Sequence, residues 1–333
     1  MQSVHHTTSF DLTVITVCHD AVEQLPRCVG AVLQLMLQGE LRVQYLVVDM
    51  DSRDGSQEYL AAERDRWHIS DYISEPFENR FAAMNRGLEM ARGRICLFVS
   101  PEDELMVENT AACCAPILSG EADSVFSSTL MVDSSDGSTA SRNPNTDHLF
   151  LRTPCQLPSF FCATELLRRL GGFDCRSYAA LADCDLMHRV LQYGRQSRVI
   201  LLSTCRHYLS PGEDKVEALH VDFLRFIVAH REEIMQQCRE HPAYAIRTVH
   251  ELQRHTVRCS WPLEPQLLAG LDSVFHELRD NIKPAICRKI CRRLRRRAVI
   301  QGALILFRGW ERARITSKIC RGNLYVARLL SRR

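Results

Sequence analysis

The chain has 333 residues, 46% hydrophobic, 25% charged and 7% aromatic, a composition that supports a full-sized core and excludes a disordered, collagen-like or disulfide-stapled miniprotein. Its formal charge of +2 hides an uneven distribution: residues 283–333 hold 16 basic residues and one acid, Glu311, for a net +15, and residues 1–282 carry −13. An acidic body with a basic tail is the first expectation. Fifteen cysteines are scattered without a CxxC repeat or a His/Cys cluster at zinc spacing, and MQSVHHTTSF lacks the basic start and apolar stretch of a secretory signal. Reduced thiols in a cytosolic protein are therefore expected. Near the tail the longest apolar candidate, Ala303 to Phe307, is far shorter than a membrane span.

The β-branched run Leu12 to Val17 predicts a buried strand, and Val22 to Gln38 a helix with apolar residues at helical spacing. Val43 to Val48 predicts a second buried strand, followed by the turn-rich loop Asp49 to Gly55 and a helix to about Arg66. A short strand at Asp71 to Ser74, a helix from Phe81 to Arg92 and a strand from Arg94 to Val99 complete a βαβα series. This is the signature of a parallel sheet with helices on both faces. Beyond Leu105 the pattern predicts short strands at Ser124–Ser127, Leu130–Val132 and Pro158–Cys162, with a loop over Asp133–Asp147. A helix Glu165–Leu170 then ends at Gly171-Gly172, a helix starts at Asp183 and runs through about Gln192, and Arg198–Leu202 reads as a strand. From Val216 the chain reads as helical, with a polar break near Trp261-Pro262.

Ligands of such sheets bind beyond the carboxyl ends of the strands. That rule selects Cys18-His-Asp20, Asp49–Gly55 and Ser100-Pro-Glu-Asp-Glu104, all of which carry acids. Neither GxGxxG nor GxxxxGK[ST] follows a strand, which argues against a dinucleotide or P-loop site. Taken singly, Asp49 fits either a ligand-orienting acid or a helix cap. Glu102-Asp103 fits a divalent-metal site or a solvated acidic loop. Asp183 fits a general base or an N-cap.

Several ordered motifs together carry a resemblance. Val14-Ile-Thr-Val-Cys-His-Asp20, Leu46-Val-Val-Asp-Met-Asp-Ser-Arg-Asp-Gly-Ser56, Ile73-Ser-Glu-Pro76, Ala83-Met-Asn-Arg-Gly87 and Leu97-Phe-Val-Ser-Pro-Glu-Asp-Glu-Leu105 resemble the nucleotide-sugar half of a family 2 glycosyltransferase. Cys155-Gln156, Leu170-Gly-Gly-Phe-Asp174 and Leu181-Ala-Asp-Cys-Asp-Leu-Met-His-Arg189 resemble its acceptor half. The closest variety is the bacterial branch that builds exopolysaccharide, lipopolysaccharide and glycolipid. The resemblance implies an α/β GT-A fold with a mainly parallel central sheet over residues 1–215, divided into a nucleotide-sugar half at about 10–105 and an acceptor half at about 106–215. A helical extension over 216–282 and a basic amphipathic tail over 283–333 follow.

By resemblance, Asp49 contacts the nucleotide base and His19 packs against it; Val17 joins the donor site, and Arg80 fits either a partner of phosphate or a surface arginine. Glu102 matches the ribose contact, Asp103 the ligand of Mg²⁺ or Mn²⁺, and Asp183 the catalytic base of inverting members. Departures from the family pattern stand at Met50, Ala82 and Ala182. They bear on the donor, and they leave a rival reading of a non-catalytic GT-A-like binding protein.

In the tail, Ile286, Ile290 and Leu294 recur four apart among arginines. Such a helix suits an anionic membrane surface, or packs on the acidic body. Nucleic acid is not the expected partner: Trp310 and Tyr325 are sparse aromatics with no binding module around them. The whole predicts a metal-dependent inverting glycosyltransferase, cytoplasmic and peripheral on the inner face of the cytoplasmic membrane. Its substrates are a nucleotide-sugar donor and a lipid-linked or cell-envelope glycan acceptor.

Overall fold

A computed structural model describes residues 10–146, 153–209, 217–259 and 263–281, together with Arg292, Arg293, Arg295 and Arg296. The rest of the basic tail lies outside the described residues. The chain divides into two compact units, residues 1–216 and 217–333.

The first unit opens with β1 (Phe10–Cys18), α1 (Leu25–Gln38), β2 (Val43–Asp49), α2 (Ser56–Asp65), β3 (Asp71–Ser74), α3 (Arg80–Met90) and β4 (Gly93–Val99). β2, β1 and β4 pair in parallel, and β3 joins parallel at the β2 edge. Pro26 presets the start of α1, and Gly39, at φ 72°, ends it in the left-handed conformation. Between them Leu25, Cys28, Val29, Val32 and Leu35 form one buried stripe. The strands are buried on both sides because helices cover both faces. α1 packs into the cluster holding Leu12, Val14 and Tyr45, and α3 packs on β1 and β2. Gly87 makes the latter approach close, since a Cβ there would lie 2.5 Å from Ile15 Cγ2.

Beyond β4 come β5 (Asp103–Leu105), α4 (Val107–Leu118), β6 (Ser124–Asp133), β7 (Thr139–Arg142), β8 (Phe160–Ala163), α5 (Thr164–Arg169), α6 (Ala182–Tyr193) and β9 (Ser197–Leu209). The sheet order is β3-β2-β1-β4-β8-β6-β9-β5, with β7 on the side of β6. β8 is antiparallel to β4 and β6, whereas β6 and β9 run parallel. The mixed α/β architecture expected from the pattern is present, with three differences of detail. The strands expected at 124–127 and 130–132 are one continuous β6. Its hairpin partner β7 occupies part of the expected loop, and β5 forms inside the acidic loop. β6 and β5 gain their order from pairing with the distant β9, and β7 from its hairpin with β6, order that local polarity conceals.

The second unit contains α7 (Glu217–Ala229), α8 (Arg231–Glu240), α9 (Pro242–Arg258) and α10 (Pro265–Asn281). Leu224, Ile227, Ile234, Val249, Leu252, Leu271, Val274 and Phe275 are fully buried there. Within this unit Arg295 Nε donates to Asp272 Oδ1 at 2.6 Å.

All described cysteines are unpaired, and all but Cys175 are buried. Burial pushes the Cys28 and Cys96 thiols up to about 12.

Gly93 is the tightest backbone crossing. Its amide donates to Thr13 Oγ1 at 2.8 Å and its carbonyl accepts from Thr164 Oγ1 at 2.6 Å. A Cβ there would meet Thr13 N at 2.5 Å and the Leu12 carbonyl carbon at 2.6 Å, both main-chain atoms that cannot swing aside. Gly93→Ala is therefore expected to lower unfolding free energy by about 1–3 kcal/mol in urea melts.

Candidate active site

The β1 and β2 ends interlock to form the floor of an open cleft. Asp49, the last residue of β2, is 0% exposed. Its Oδ2 accepts from Ser52 N at 3.1 Å and Ser74 Oγ at 2.6 Å, and its Oδ1 from Ser52 Oγ and, at 3.5 Å, from Cys18 Sγ. A buried carboxylate needs such donors to offset lost hydration. Asp49 thus organises the ends of β1, β2 and β3, with its oxygens already committed. Asp20 and Asp51 take left-handed backbones, φ 48° and 60°. Asp20 N donates to Ser52 Oγ at 2.8 Å, and Arg53 N returns a bond to Asp20 Oδ1 at 2.8 Å.

His19 sits above this lattice. Its side chain is 59% exposed, and Nδ1 lies 2.9 Å from the Met50 carbonyl, to which it donates. His19, Met50, Asp51, Arg53, Pro76 and Phe77 line the cleft. Val17 is buried in β1 beside Val48.

At the far side of the sheet, Asp103 begins β5 and is 1% exposed. Oδ2 accepts from Ser100 N at 2.8 Å, and Oδ1 accepts from His207 Nδ1 of β9 at 2.7 Å. Glu102 is half-buried, and its carbonyl accepts from Tyr208 N at 3.3 Å. The Asp103–His207 pair is chemically suited to Mg²⁺ or Mn²⁺, since a carboxylate and an imidazole are ligands of hard and borderline cations. No group of three or more metal-ligating side chains occurs among the described residues.

Asp183 lies in the first turn of α6 and is half-buried. Its Oδ1 accepts from Cys184 N at 2.8 Å. Burial raises its pKa above the ordinary aspartate range, opposed first by the charge of Arg80, then by the Cys184 amide and, more weakly, by Arg142. Arg80, the first residue of α3, is exposed with its guanidinium carbon 4.8 Å from the Phe81 ring centre.

Two asparagines bring α3 to the segment before α6. Asn79 caps α3 through the Phe81 and Ala82 amides, at 3.0 and 3.1 Å, and its Nδ2 donates to the Cys175 carbonyl at 3.2 Å. Asn85 exchanges 2.8 Å bonds with both backbone groups of Phe173. Arg189 donates to the Leu170 and Gly172 carbonyls at 2.6 and 2.7 Å.

His207 and Arg142 are the residues that sequence reasoning missed. His207 stands 104 positions from Asp103 and meets it only through strand pairing. Arg142 lies in a strand that the sequence disguises as a loop.

Residues 13–175 match the profile of glycosyl transferase family 2. No curated protein matches the chain in sequence. Among solved structures, S. aureus TarS 1–349 in complex with UDP-GlcNAc superposes with TM-score 0.62 at 14% identity, over 86% of this chain and 89% of that one. The same protein in complex with UDP gives 0.61 at 15% identity, over 86% and 88%. The mannosyltransferase PcManGT from Pyrobaculum calidifontis, in complex with GDP-Man and Mn²⁺, gives 0.51 at 14%, over 89% and 86%. The chain therefore carries a glycosyl transferase family 2 domain, at residues 13–175, on a GT-A fold.

Proposed function

We propose that the protein is a metal-dependent, inverting glycosyltransferase that moves a sugar from a nucleoside diphosphate to a hydroxyl of a lipid-linked or cell-envelope glycan. The observation that carries this reading is the placement of three acids with separate tasks. Asp49 holds the floor beneath the cleft, Asp103 pairs with His207, and Asp183 has a raised pKa beside two cations. The crystallised relatives with UDP-GlcNAc, UDP and GDP-Man support a nucleotide-sugar donor.

In this reading the base lies in the cleft against His19, over the floor set by Asp49, with Val17 below and Glu102 at the ribose. Arg80 faces the diphosphate. Asp103 and His207 would hold a Mg²⁺ or Mn²⁺, and such an ion would neutralise charge developing on the leaving diphosphate. Asp183 accepts the proton of the acceptor hydroxyl as its oxygen attacks the anomeric carbon. The bond to the diphosphate oxygen breaks on the opposite face, its electron pair leaves with the nucleoside diphosphate, and the anomeric configuration inverts.

The basic tail fits recruitment to an anionic surface, where each cation near the headgroups contributes about 1 kcal/mol. No described helix is long and apolar enough to cross a membrane. The Arg295–Asp272 bond favours the second reading of the tail for at least that residue, packing on its own acidic body.

Four measurements test these assignments. Asp183→Asn is expected to cut kcat about 10²–10⁴-fold while sparing donor binding; full transfer by this variant would remove Asp183 as base. Because the base must be ionised, the wild-type rate falls as pH drops through a pKa above the ordinary aspartate range. Removing the opposing charge with Arg80→Ala moves that acid limb to higher pH, and an unmoved limb would separate the two residues. Thermal-shift screening of UDP-, GDP- and TDP-sugars with Mn²⁺ should show metal-dependent stabilisation, about 2.7 kcal/mol at 100-fold over Kd, that Asp103→Ala abolishes. In cosedimentation with anionic vesicles, loss of residues 283–333 should abolish binding, and equal binding by both forms would end the tail's proposed role.

A further inference from the structure

The ribbon made by β5 and β9 has two sides. Its register pairs Asp103 with His207, Glu104 with Arg206 and Leu105 with Cys205, so the acid and imidazole share one side and Glu104 faces the other. On that other side Glu104 Oε1 accepts from Arg206 Nη1 at 3.1 Å, and Oε2 accepts from the Tyr208 hydroxyl at 2.6 Å. The Arg27 guanidinium carbon lies 3.8 Å from the Tyr208 ring centre, a cation–π contact that reaches from α1.

β5 needs this support. It has three residues and, among the described residues, pairs with β9 alone, so its own ladder is too short to resist displacement. A metal site, by contrast, tolerates ligand shifts of only about 0.5 Å. We propose that Glu104, Tyr208 and Arg27 are positioning residues that hold Asp103 and His207 at the spacing a divalent cation requires. Arg27 also ties that spacing to α1, which begins just after His19 and Asp20, so the clamp joins the metal end of the site to its base end. The inference rests on the reading of Asp103 and His207 as the cation's protein ligands.

Tyr208→Phe keeps the ring under Arg27 and deletes one hydroxyl. The test titrates the full-length chain with Mn²⁺ in the presence of UDP, and separately of GDP, following free Mn²⁺ by electron paramagnetic resonance. Nucleotide binding is measured in parallel in EDTA. Tyr208→Phe is expected to weaken Mn²⁺ binding about tenfold, the scale of one hydrogen bond to a charged acceptor, with metal-free nucleotide binding unchanged. Arg27→Ala, a change at an exposed residue that spares the core, should shift Mn²⁺ binding in the same direction by a smaller factor. Wild-type Mn²⁺ affinity in both variants would overturn the proposal, as would an equal loss of metal-free nucleotide binding, which marks general damage. If the wild type binds no Mn²⁺ with either nucleotide, the cation reading itself falls and the clamp's assigned role with it.

Discussion

The site depends first on a buried carboxylate, Asp49, that forms no ion pair among the described residues. Asp49 is kept in the interior by two serine hydroxyls, one amide and a thiol, drawn from the ends of three strands. Desolvating a carboxylate costs several kcal/mol unless donors replace the lost water, so these groups cannot relax independently. The loops after β1 and β2 are consequently one object. Bonds between Asp20, Ser52 and Arg53 extend the same lattice outward to the cleft. His19 and Met50 stand on this base and inherit its rigidity.

The second constraint is electrostatic. Asp183 comes from a helix start in the second half of the domain, and Arg80 from a helix start in the first. Asn79 and Asn85 bind those halves through the backbone of Phe173 and Cys175, while the Phe173 ring packs on Phe81 and Phe98. Burial raises the pKa of Asp183, and the neighbouring arginines oppose that rise. A structural tie and a chemical tuning therefore share one seam.

The order of the first hundred residues was legible because β1, β2 and β4 are apolar and buried on both faces and the helices carry a 3.6-residue stripe. Asp49 and Asp103 were legible as residues at or just past strand ends, and Asp183 as the start of a helix. Their partners were not. Asp103 meets His207 through antiparallel pairing between segments a hundred residues apart, and no local pattern encodes that register. β7 escaped detection because Thr139–Arg142 is exposed throughout and owes its extended form to β6. Asp49 was recognisable as important, whereas its saturation by Ser52, Ser74 and Cys18 emerges only once three strand ends are side by side.

The cysteine distribution carries a consequence of its own. A thiol must be both accessible and ionised to react, and burial denies both to Cys28 and Cys96. Alkylating reagents should therefore enter the core only when the sheet opens, so their slow incorporation would clock local unfolding. Cys175 is partly exposed, in the segment that Asn79 ties to α3 just ahead of the helix bearing Asp183. A probe attached there would sit ahead of the Asp183 helix without entering the core, and its rapid labelling would stand apart from the slow labelling of the other described cysteines.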